Sequence, residues 1–359
     1  MNVLIASDKF KGSLTALQVC TIIQKELMSL HPQWKITTCP LADGGEGSLD
    51  CFVNATHAKS IKGTFTNANL ELMETDYAIL NDIAFIELAK TAGLVQTKDK
   101  NPLKTTTYGV GEQIKDALTH NVKTIYIAIG GSSTNDAGCG MAAALGYQFI
   151  NFDNQVFIPT GENIDTIKTI IPPTSPINAR FIILCDVANP LYGQQGAAYV
   201  YAKQKGANDE QIQILDNNLK YFNQLALKKG YDFQKIAGSG AAGGFGAGSI
   251  YFLNATLQSG AKTFFDLCNL NQKIQHSDLI ISGEGKIDSQ SLQGKLVLEL
   301  YKLCNNKSFV AVCGCSELKQ APFTILEVNQ ENETLKESIH NCEKNLKKSI
   351  QNYFQKFNK

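Results

Sequence analysis

Carboxylates recur in five segments just after the apolar runs of this sequence, and three of these segments contain glycine. Such segments lie at residues 8–11, 43–47, 130–136, 186–189 and 283–288. Short apolar runs are typical of strands buried in a parallel sheet, and ligands bind outside the carboxyl ends of such strands. Asp and Gly are ordinary turn residues, so each segment alone is open to a purely structural explanation. Taken together, the segments predict a single ligand-binding site along one edge of a parallel sheet.

The residue types in these segments suit phosphate and a divalent cation. Glycine lets backbone N–H groups approach phosphate oxygens. Asp and Glu supply oxygens to Mg²⁺, which also takes water and substrate phosphates as ligands. The lysines that would neutralise the remaining negative charge are Lys9, Lys11, Lys286 and Lys295. Phosphoryl transfer needs little more than this positioning and charge stabilisation.

The charge balance restricts the partners of the chain. Lys and Arg together number 33, and so do Asp and Glu, which gives a formal net charge of zero. The basic excess of a nucleic-acid binder is absent, so nucleic acid is not an expected partner. Because Arg180 is the only arginine, any bound anion has to meet lysines, backbone N–H groups or a metal.

Cysteine and histidine show no recognisable metal-ligand spacing. The ten cysteines are expected to be reduced, buried thiols, since the apolar start of the chain is closed by Asp8 and Lys9 and is too short for a signal peptide. Cys313 and Cys315 have no second pair, and the five histidines are scattered. No run approaches the ~18 apolar residues of a membrane span. These features predict a cytoplasmic protein without a membrane partner.

A glycine tract at residues 238–248 contains the G-x-G-x-x-G spacing of a dinucleotide site, with Asp266 at about the distance of a ribose contact. The segment before it, residues 228–235, is polar where that motif needs a buried strand. The tract is therefore expected to open a helix near phosphate or substrate, with plain helix packing as the alternative. A P-loop is excluded because Lys295 is followed by leucine.

Apolar runs alternate with helical patterns, which predicts an α/β fold with a parallel sheet. Thr15 and Gln18 form a capping box at the start of the first helix, a leucine-rich helix is expected over residues 292–303, and an apolar stripe marks the last helix, residues 335–357. Buried strands followed by polar or glycine-rich turns are expected at residues 3–6, 34–39, 124–129, 181–185, 279–282, 309–313 and 323–328.

The length of 359 residues suggests about two domains. Between about Lys59 and Leu94 the pattern changes to a looser alternation that is typical of antiparallel strands. This change indicates a second domain inserted into the first. The predicted domains are residues 1–59 with 260–359, and residues 60–259.

Seven segments, in chain order, resemble the signature motifs of the bacterial glycerate kinase type 1 family. They are K-F-K-G-S-L at 9–14, L-A-D-G-G-E-G at 41–47, N-P-L-K-T-T-T-Y-G at 101–109, G-G-S-S-T-N-D at 130–136, C-D-V-A-N-P-L at 185–191, G-A-A-G-G at 240–244 and G-E-G-K-I-D at 283–288. The resemblance runs from about residue 5 to residue 315. Ala137 and Cys139 depart from it, since the family tends to have Gly and Ala there.

The resemblance implies two α/β domains, one with a flavodoxin-like or Rossmann-like parallel sheet and one mixed and inserted, with a cleft between them. It implies a kinase that uses ATP and Mg²⁺ to phosphorylate D-glycerate in organic acid catabolism. Bacterial members phosphorylate the 2-hydroxyl more often, so 2-phosphoglycerate is the expected product and 3-phosphoglycerate the alternative. A homodimer is left open.

The positions of these residues at the ends of the expected strands, read together with the resemblance, predict their roles. An acid such as Asp186 would orient or deprotonate the attacking hydroxyl, and the expected catalytic set is Asp186, Lys9, Lys11 and Asp136. The expected substrate and ATP contacts are Ser7, Asp8, Gly44, Gly45, Ser132, Thr134, Asn135, Asn189, Gly240, Gly243, Gly244, Lys286 and Lys295. The expected metal ligands are Asp43, Glu46, Glu284 and Asp288.

Two other functions compete with a kinase. A nicotinamide-dependent dehydrogenase of a small hydroxy acid would need the glycine tract to follow a buried strand. A non-catalytic sensor of small molecules would use the same binding edge without turnover, but it would not need so many carboxylates.

Overall fold

A computed structural model describes residues 1–288, 296–305, 307–318, 320–330 and 332–358. Its strands, in chain order, are β1 (Asn2–Ile5), β2 (Lys35–Thr38), β3 (Lys59–Thr66), β4 (Leu72–Leu80), β5 (Ile83–Glu87), β6 (Thr124–Ala128), β7 (Gln148–Asn151), β8 (Val156–Phe157), β9 (Ile167–Ile171), β10 (Arg180–Leu184), β11 (Thr256–Gln258), β12 (Leu279–Ile287), β13 (Ser308–Ser316) and β14 (Thr324–Glu327).

The α-helices are α1 (Ala16–Leu30), α2 (Ser48–Thr56), α3 (Ala89–Ala92), α4 (Tyr108–Thr119), α5 (Cys139–Ala144), α6 (Ala197–Tyr201), α7 (Asp209–Leu227), α8 (Ala241–Leu253), α9 (Gly260–Leu267), α10 (Leu270–Gln275), α11 (Leu296–Leu303) and α12 (Leu335–Phe354). Short 3₁₀ turns lie at Ile164–Thr166, Lys203–Lys205 and Gln355–Asn358.

One compact unit comprises Met1–Asp43, Asp50–His57 and Ala261–Lys359. Its sheet is parallel throughout, in the order β14-β13-β12-β1-β2. Apolar side chains of α1 and α12 pack with those of the central strands into a single core. Burial on both faces explains why these strands are continuous apolar runs in the sequence.

The second compact unit comprises Gly44–Leu49 and Ala58–Gly260. Its six-stranded sheet has the order β11-β10-β6-β5-β4-β3, in which β3, β4 and β5 are antiparallel and the remaining neighbours are parallel. A separate antiparallel sheet has the order β8-β7-β9. The antiparallel part coincides with the looser alternation that begins near Lys59.

The architecture confirms the α/β fold class, with one parallel and one mixed sheet. The domains predicted from the sequence, residues 1–59 with 260–359 and residues 60–259, remain a prediction. The last helix ends at Phe354 and is continued by a 3₁₀ turn. A leucine-rich helix is expected over residues 292–303. Residues 292–295 lie outside the described residues, and the described part of this helix is α11.

The expected turn at residues 283–288 is wrong over most of its length. Strand β12 continues through this segment, and its pairing with β13 runs on to Ile287 opposite Ser316. Glycine is needed at position 283 because a Cβ atom there would lie 2.4 Å from the carbonyl oxygen of Val312. Glycine in a strand can mark a close approach of backbone, and the sequence pattern alone resembles a turn.

All ten cysteines are free thiols, and eight of them are buried while Cys185 and Cys315 are half-buried. Within the described residues, no helix combines the length and the apolar character that crossing a membrane requires.

The predicted capping box of α1 is present. Gln18 donates its backbone N–H to Thr15 Oγ1 over 3.2 Å, and the Thr15 backbone N–H donates to Gln18 Oε1 over 2.9 Å. These bonds satisfy backbone groups that a helix start leaves without partners.

We expect Thr15→Ala to lower the free energy of unfolding by about 1 kcal/mol, since the cap is lost. Chemical denaturation measures this loss. Thr21→Ala, inside the same helix, is the matched control and should not destabilise, because alanine is the better helix former. Equal effects of the two substitutions would show that the cap makes no special contribution.

Candidate functional site

Three carboxylates of the first unit interact around the end of β1, and we call Asp8, Asp43 and Glu284 the Asp8 cluster. Asp8 follows β1, and its backbone N–H donates to the Gly283 carbonyl over 2.9 Å. Its Oδ1 accepts a hydrogen bond of 2.7 Å from the Lys9 backbone N–H. Burial, the negative charge of Asp43 and, to a smaller extent, that of Glu284 together raise the pKa of Asp8 to about 7 against the opposing effect of Lys9. A bound cation would relieve this repulsion.

Other predicted residues of the first unit lie in the segment after β1 or on β12. Ser7 is fully buried, and its hydroxyl donates to the carbonyl oxygen of Gly283 over 3.2 Å. Lys286 forms an exposed ion pair of 2.7 Å with Glu317, and this hydrogen bond raises the pKa of Lys286. Lys11 is exposed and Lys9 half-buried. The structure therefore brings Ser7, Asp8, Lys9 and Glu284 together, with Lys286 farther along β12.

Asp288 is half-buried and follows β12 directly. Lys295, which the sequence assigns to ATP, lies outside the described residues.

In the second unit, the turn at residues 44–49 is held by Glu87, a buried carboxylate at the end of β5. Glu87 Oε1 accepts from the Gly47 backbone N–H over 3.0 Å, and Oε2 accepts from that of Leu49 over 2.9 Å. These donors lie at the N-terminus of α2, where a negative charge is favourable. Glu87 was not predicted, although it closes an apolar strand in the same way as the carboxylates that were.

Backbone also contacts backbone closely in this region. Gly130 donates its N–H to the Gly44 carbonyl over 2.9 Å, and a Cβ atom on Gly130 would lie 2.5 Å from Gly45 Cα. The turn with Gly44, Gly45 and Glu46 is therefore packed against the segment that follows β6.

Asp136 organises the segment after β6, which we call the 132–136 turn. Its carboxylate is fully buried and accepts five hydrogen bonds. Thr107 donates both its N–H and its hydroxyl at 2.8 Å, Gly138 and Gly140 donate N–H groups at 3.2 Å, and Thr106 donates its hydroxyl at 3.4 Å. Burial raises the pKa of Asp136 despite these bonds, which lower it.

The remaining side chains of the 132–136 turn are buried as well. The hydroxyls of Ser132 and Thr134 lie 3.0 Å apart, and the Thr134 N–H donates to Ser132 Oγ over 3.1 Å. Asn135 is fully buried, and neither its amide nitrogen nor its amide oxygen has a hydrogen-bond partner in the protein. Ala137, next to the turn, has a φ of 52°, which explains why the resembling family tends to have glycine there.

The glycine tract packs its backbone against the same turn. Ala242, Gly243 and Gly244 have left-handed backbone angles that kink α8. The Ala137 N–H donates to the Gly243 carbonyl over 3.1 Å, and a Cβ atom on Gly243 would lie 2.0 Å from the Thr134 carbonyl oxygen. These glycines thus permit close packing. Residues 228–237 before the tract contain turns and no strand, contrary to what a dinucleotide site needs.

Gly240 connects the tract with the segment after β10, where its N–H donates to the Asn189 carbonyl over 3.0 Å. Both ends of the Asn189 amide are engaged, with Gln195 and with Tyr201. Asp186 is exposed, and its Oδ1 accepts from Ser259 Oγ at 2.9 Å and from the Gly260 N–H at 3.0 Å. These bonds fix one oxygen of a solvent-accessible carboxylate.

Among the described residues, no three His, Cys, Asp or Glu side chains lie close enough to hold a metal ion by themselves. The Asp8 cluster nevertheless fits Mg²⁺ in its donor chemistry, because its side chains are carboxylates whose mutual repulsion adds to the effect of burial on the pKa of Asp8. Mg²⁺ needs only one or two carboxylates when phosphates and water complete its coordination.

We expect Asp8→Asn to stabilise the fold at pH 8. The pKa of Asp8 rises from 3.8 to about 7 on folding, so the folded protein binds more protons than the unfolded chain between these values and loses stability as the pH rises. The neutral amide avoids this loss, and the gain should be on the order of 1 kcal/mol at pH 8 and should shrink toward pH 4. Thermal unfolding across this pH range measures it.

The matched control for this test is Asp153→Asn, at an exposed position. The control should show no pH-dependent gain. A variant Asp8→Asn that is less stable than the parent at pH 8 would contradict the assigned repulsion.

Glu87→Gln should lower the free energy of unfolding by about 1–3 kcal/mol, because a carboxylate that accepts from two backbone N–H groups is replaced by an amide with only one acceptor. Urea denaturation measures this loss. The exposed Glu74 offers the control Glu74→Gln, for which little change is expected. An unchanged midpoint for Glu87→Gln would mean that the charge does not hold the turn.

Comparisons with known proteins point to one family. A model of the glycerate kinase family matches residues 3–358. A Bacillus cereus protein named glycerate kinase is 40% identical over 303 residues, covering 82% of this chain and 80% of that protein. The Escherichia coli glycerate 2-kinase is 36% identical over 324 residues, covering 88% and 85%. A crystal structure from Salmonella typhimurium, assigned there as glycerate kinase 2, superimposes with a TM-score of 0.86 at 33% identity and covers 100% of this chain and 98% of that one.

Proposed function

The chain belongs to the glycerate kinase family, and on that premise we propose that it transfers the γ-phosphoryl group of ATP to D-glycerate. The observation that carries the proposal is the family match over residues 3–358, which spans both compact units. In the reaction, the oxygen of a glycerate hydroxyl bonds to the γ-phosphorus, the bond to the bridging oxygen of ADP breaks, and the hydroxyl proton passes to a base or to water.

We propose the 2-hydroxyl as the acceptor. The resemblance of the seven sequence motifs supports this position, and so does the relative named glycerate 2-kinase, which shares 36% identity. Phosphorylation of the 3-hydroxyl is the alternative outcome of the product analysis below.

Asp186 is the proposed residue that orients or deprotonates the attacking hydroxyl. Its support is the fixed orientation that Ser259 and Gly260 give to one carboxylate oxygen, while the side chain is exposed. Phosphoryl transfer depends mainly on such positioning, so a carboxylate can act by orientation with only partial proton transfer.

The proposed anion contacts are lysines and backbone groups. Lys9 and Lys11 would neutralise charge on the phosphates or on the glycerate carboxylate, and no arginine other than Arg180 is present to share this role. Asp136 remains a predicted catalytic residue, and its five hydrogen bonds support a role in holding the 132–136 turn.

Mg²⁺ is proposed to bind at the Asp8 cluster, where Asp43 and Glu284 are the predicted ligands. It would offset the charge of the ATP phosphates during transfer. The negative charges of Asp43 and Glu284 support this assignment, since they add to the effect of burial that raises the pKa of Asp8. Glu46 and Asp288 remain predicted ligands.

A cytoplasmic location is a proposal that the ten free thiols support, because such thiols suit a reducing compartment. A homodimer remains a proposal. The dehydrogenase alternative is not supported, because the glycine tract follows turns instead of a strand and the two relatives described above are named kinases.

The direct test measures ADP release with a coupled assay that contains D-glycerate, ATP and Mg²⁺. The parent protein should release ADP only when D-glycerate is present, and Asp186→Asn should lower kcat at least ~10²-fold. Asp153→Asn is the control and should leave kcat unchanged. An ADP signal that does not depend on D-glycerate would overturn the proposed activity, and an unchanged kcat for Asp186→Asn would overturn only its role.

Phosphorus NMR of the product tests the acceptor position. Proton coupling should split the ester signal into a doublet, because the oxygen at C2 is attached to a carbon that bears one hydrogen. A triplet, from a carbon that bears two, would show that the 3-hydroxyl is phosphorylated.

A further inference from the structure

Lys205 is a buried lysine that the sequence analysis did not single out. It ends the 3₁₀ turn Lys203–Lys205, and only 2% of it is exposed. Its ammonium donates a hydrogen bond of 2.6 Å to the backbone carbonyl of Thr134, 71 residues earlier in the chain. A buried ammonium is costly unless it is paired and hydrogen-bonded, so this position requires a reason.

The electrostatic reason is Asp136. Its negative charge acts on Lys205 and opposes the effect of burial, which lowers the pKa of that lysine to about 7. The hydrogen bond from Lys205 goes to Thr134, two residues before Asp136, while Asp136 itself accepts from Thr107, Gly138 and Gly140. These two buried side chains therefore anchor the backbone on either side of one residue.

The residue between Thr134 and Asp136 is Asn135. It is fully buried, and both polar atoms of its amide lack a hydrogen-bond partner in the protein. Native proteins rarely leave such groups without partners, so a partner from outside the chain is expected. An amide offers two donors and an acceptor, which suits a small molecule that carries both a carboxylate and hydroxyls.

We infer that Lys205 is a positioning residue, which through the Thr134 carbonyl fixes the orientation in which the Asn135 amide binds the carboxylate or a hydroxyl of glycerate. This inference rests on the proposed function. Lys205 itself does not touch the substrate. Its effect on the reaction is transmitted by the 132–136 turn.

The test compares Lys205→Met, Asn135→Ala and the double variant by steady-state kinetics. Each single substitution should raise the KM for D-glycerate at least ~10-fold and leave the KM for ATP and kcat near the parent values, since a substrate contact is lost. If Lys205 acts through Asn135, the second substitution should add little to the first. Lys203→Met, at an exposed position of the same 3₁₀ turn, is the control and should behave like the parent.

Each result decides the inference. Lys205 would have only a structural role if the effects of the two single substitutions on the KM for D-glycerate multiply in the double variant. The same conclusion would follow if Lys205→Met raised the KM for ATP as much as the KM for D-glycerate. If Lys205→Met does not fold, Asn135→Ala alone decides, because an unchanged KM for D-glycerate overturns the inference. A parent that phosphorylates D-glycerate while both single variants keep its KM refutes the positioning role only. A parent without D-glycerate-dependent turnover refutes the proposed function and this inference with it.

Discussion

The buried carboxylate of Asp136 is the constraint on which the 132–136 turn depends. Carboxylate oxygens that are removed from water need several hydrogen bonds, and Asp136 obtains them from the residues before α4 and from the start of α5. Two helices and the end of β6 are thereby tied to one side chain. Closely packed glycines such as Gly243 complete this arrangement, because any side chain there would meet the turn.

In the Asp8 cluster, repulsion between carboxylates outweighs hydrogen bonding to Asp8. Asp136 accepts five hydrogen bonds, whereas Asp8 accepts one from the Lys9 backbone and feels the negative charges of Asp43 and Glu284, so that burial and repulsion together raise its pKa to about 7. Such an arrangement destabilises the folded protein when Asp8 is ionised. Perturbed carboxylates of this kind cluster at functional sites, where a ligand supplies the missing positive charge. The contrast separates a carboxylate that builds the structure from one that is proposed to bind a cation.

Local patterns could be predicted from the sequence, and long-range ones could not. The capping box of Thr15 and Gln18 involves residues three apart, so it is visible in the sequence and is confirmed. The prediction of a turn at residues 283–288 is wrong, because this segment pairs with β13 and that pairing joins distant parts of the chain. The contacts of Glu87 with Gly47 and of Lys205 with Thr134 also join distant residues, and only the fold brings them together. The roles of the candidate site residues stay predictions.

Amide hydrogen exchange in the ligand-free protein tests most directly whether Asp136 organises the turn before substrate binds. The N–H groups that donate to its carboxylate belong to Thr107, Gly138 and Gly140. Protection of these amides comparable to that of strand β6 is the expected result, because hydrogen-bonded and buried amides exchange only when the structure opens. Rapid exchange that becomes slow only after D-glycerate is added would contradict the account.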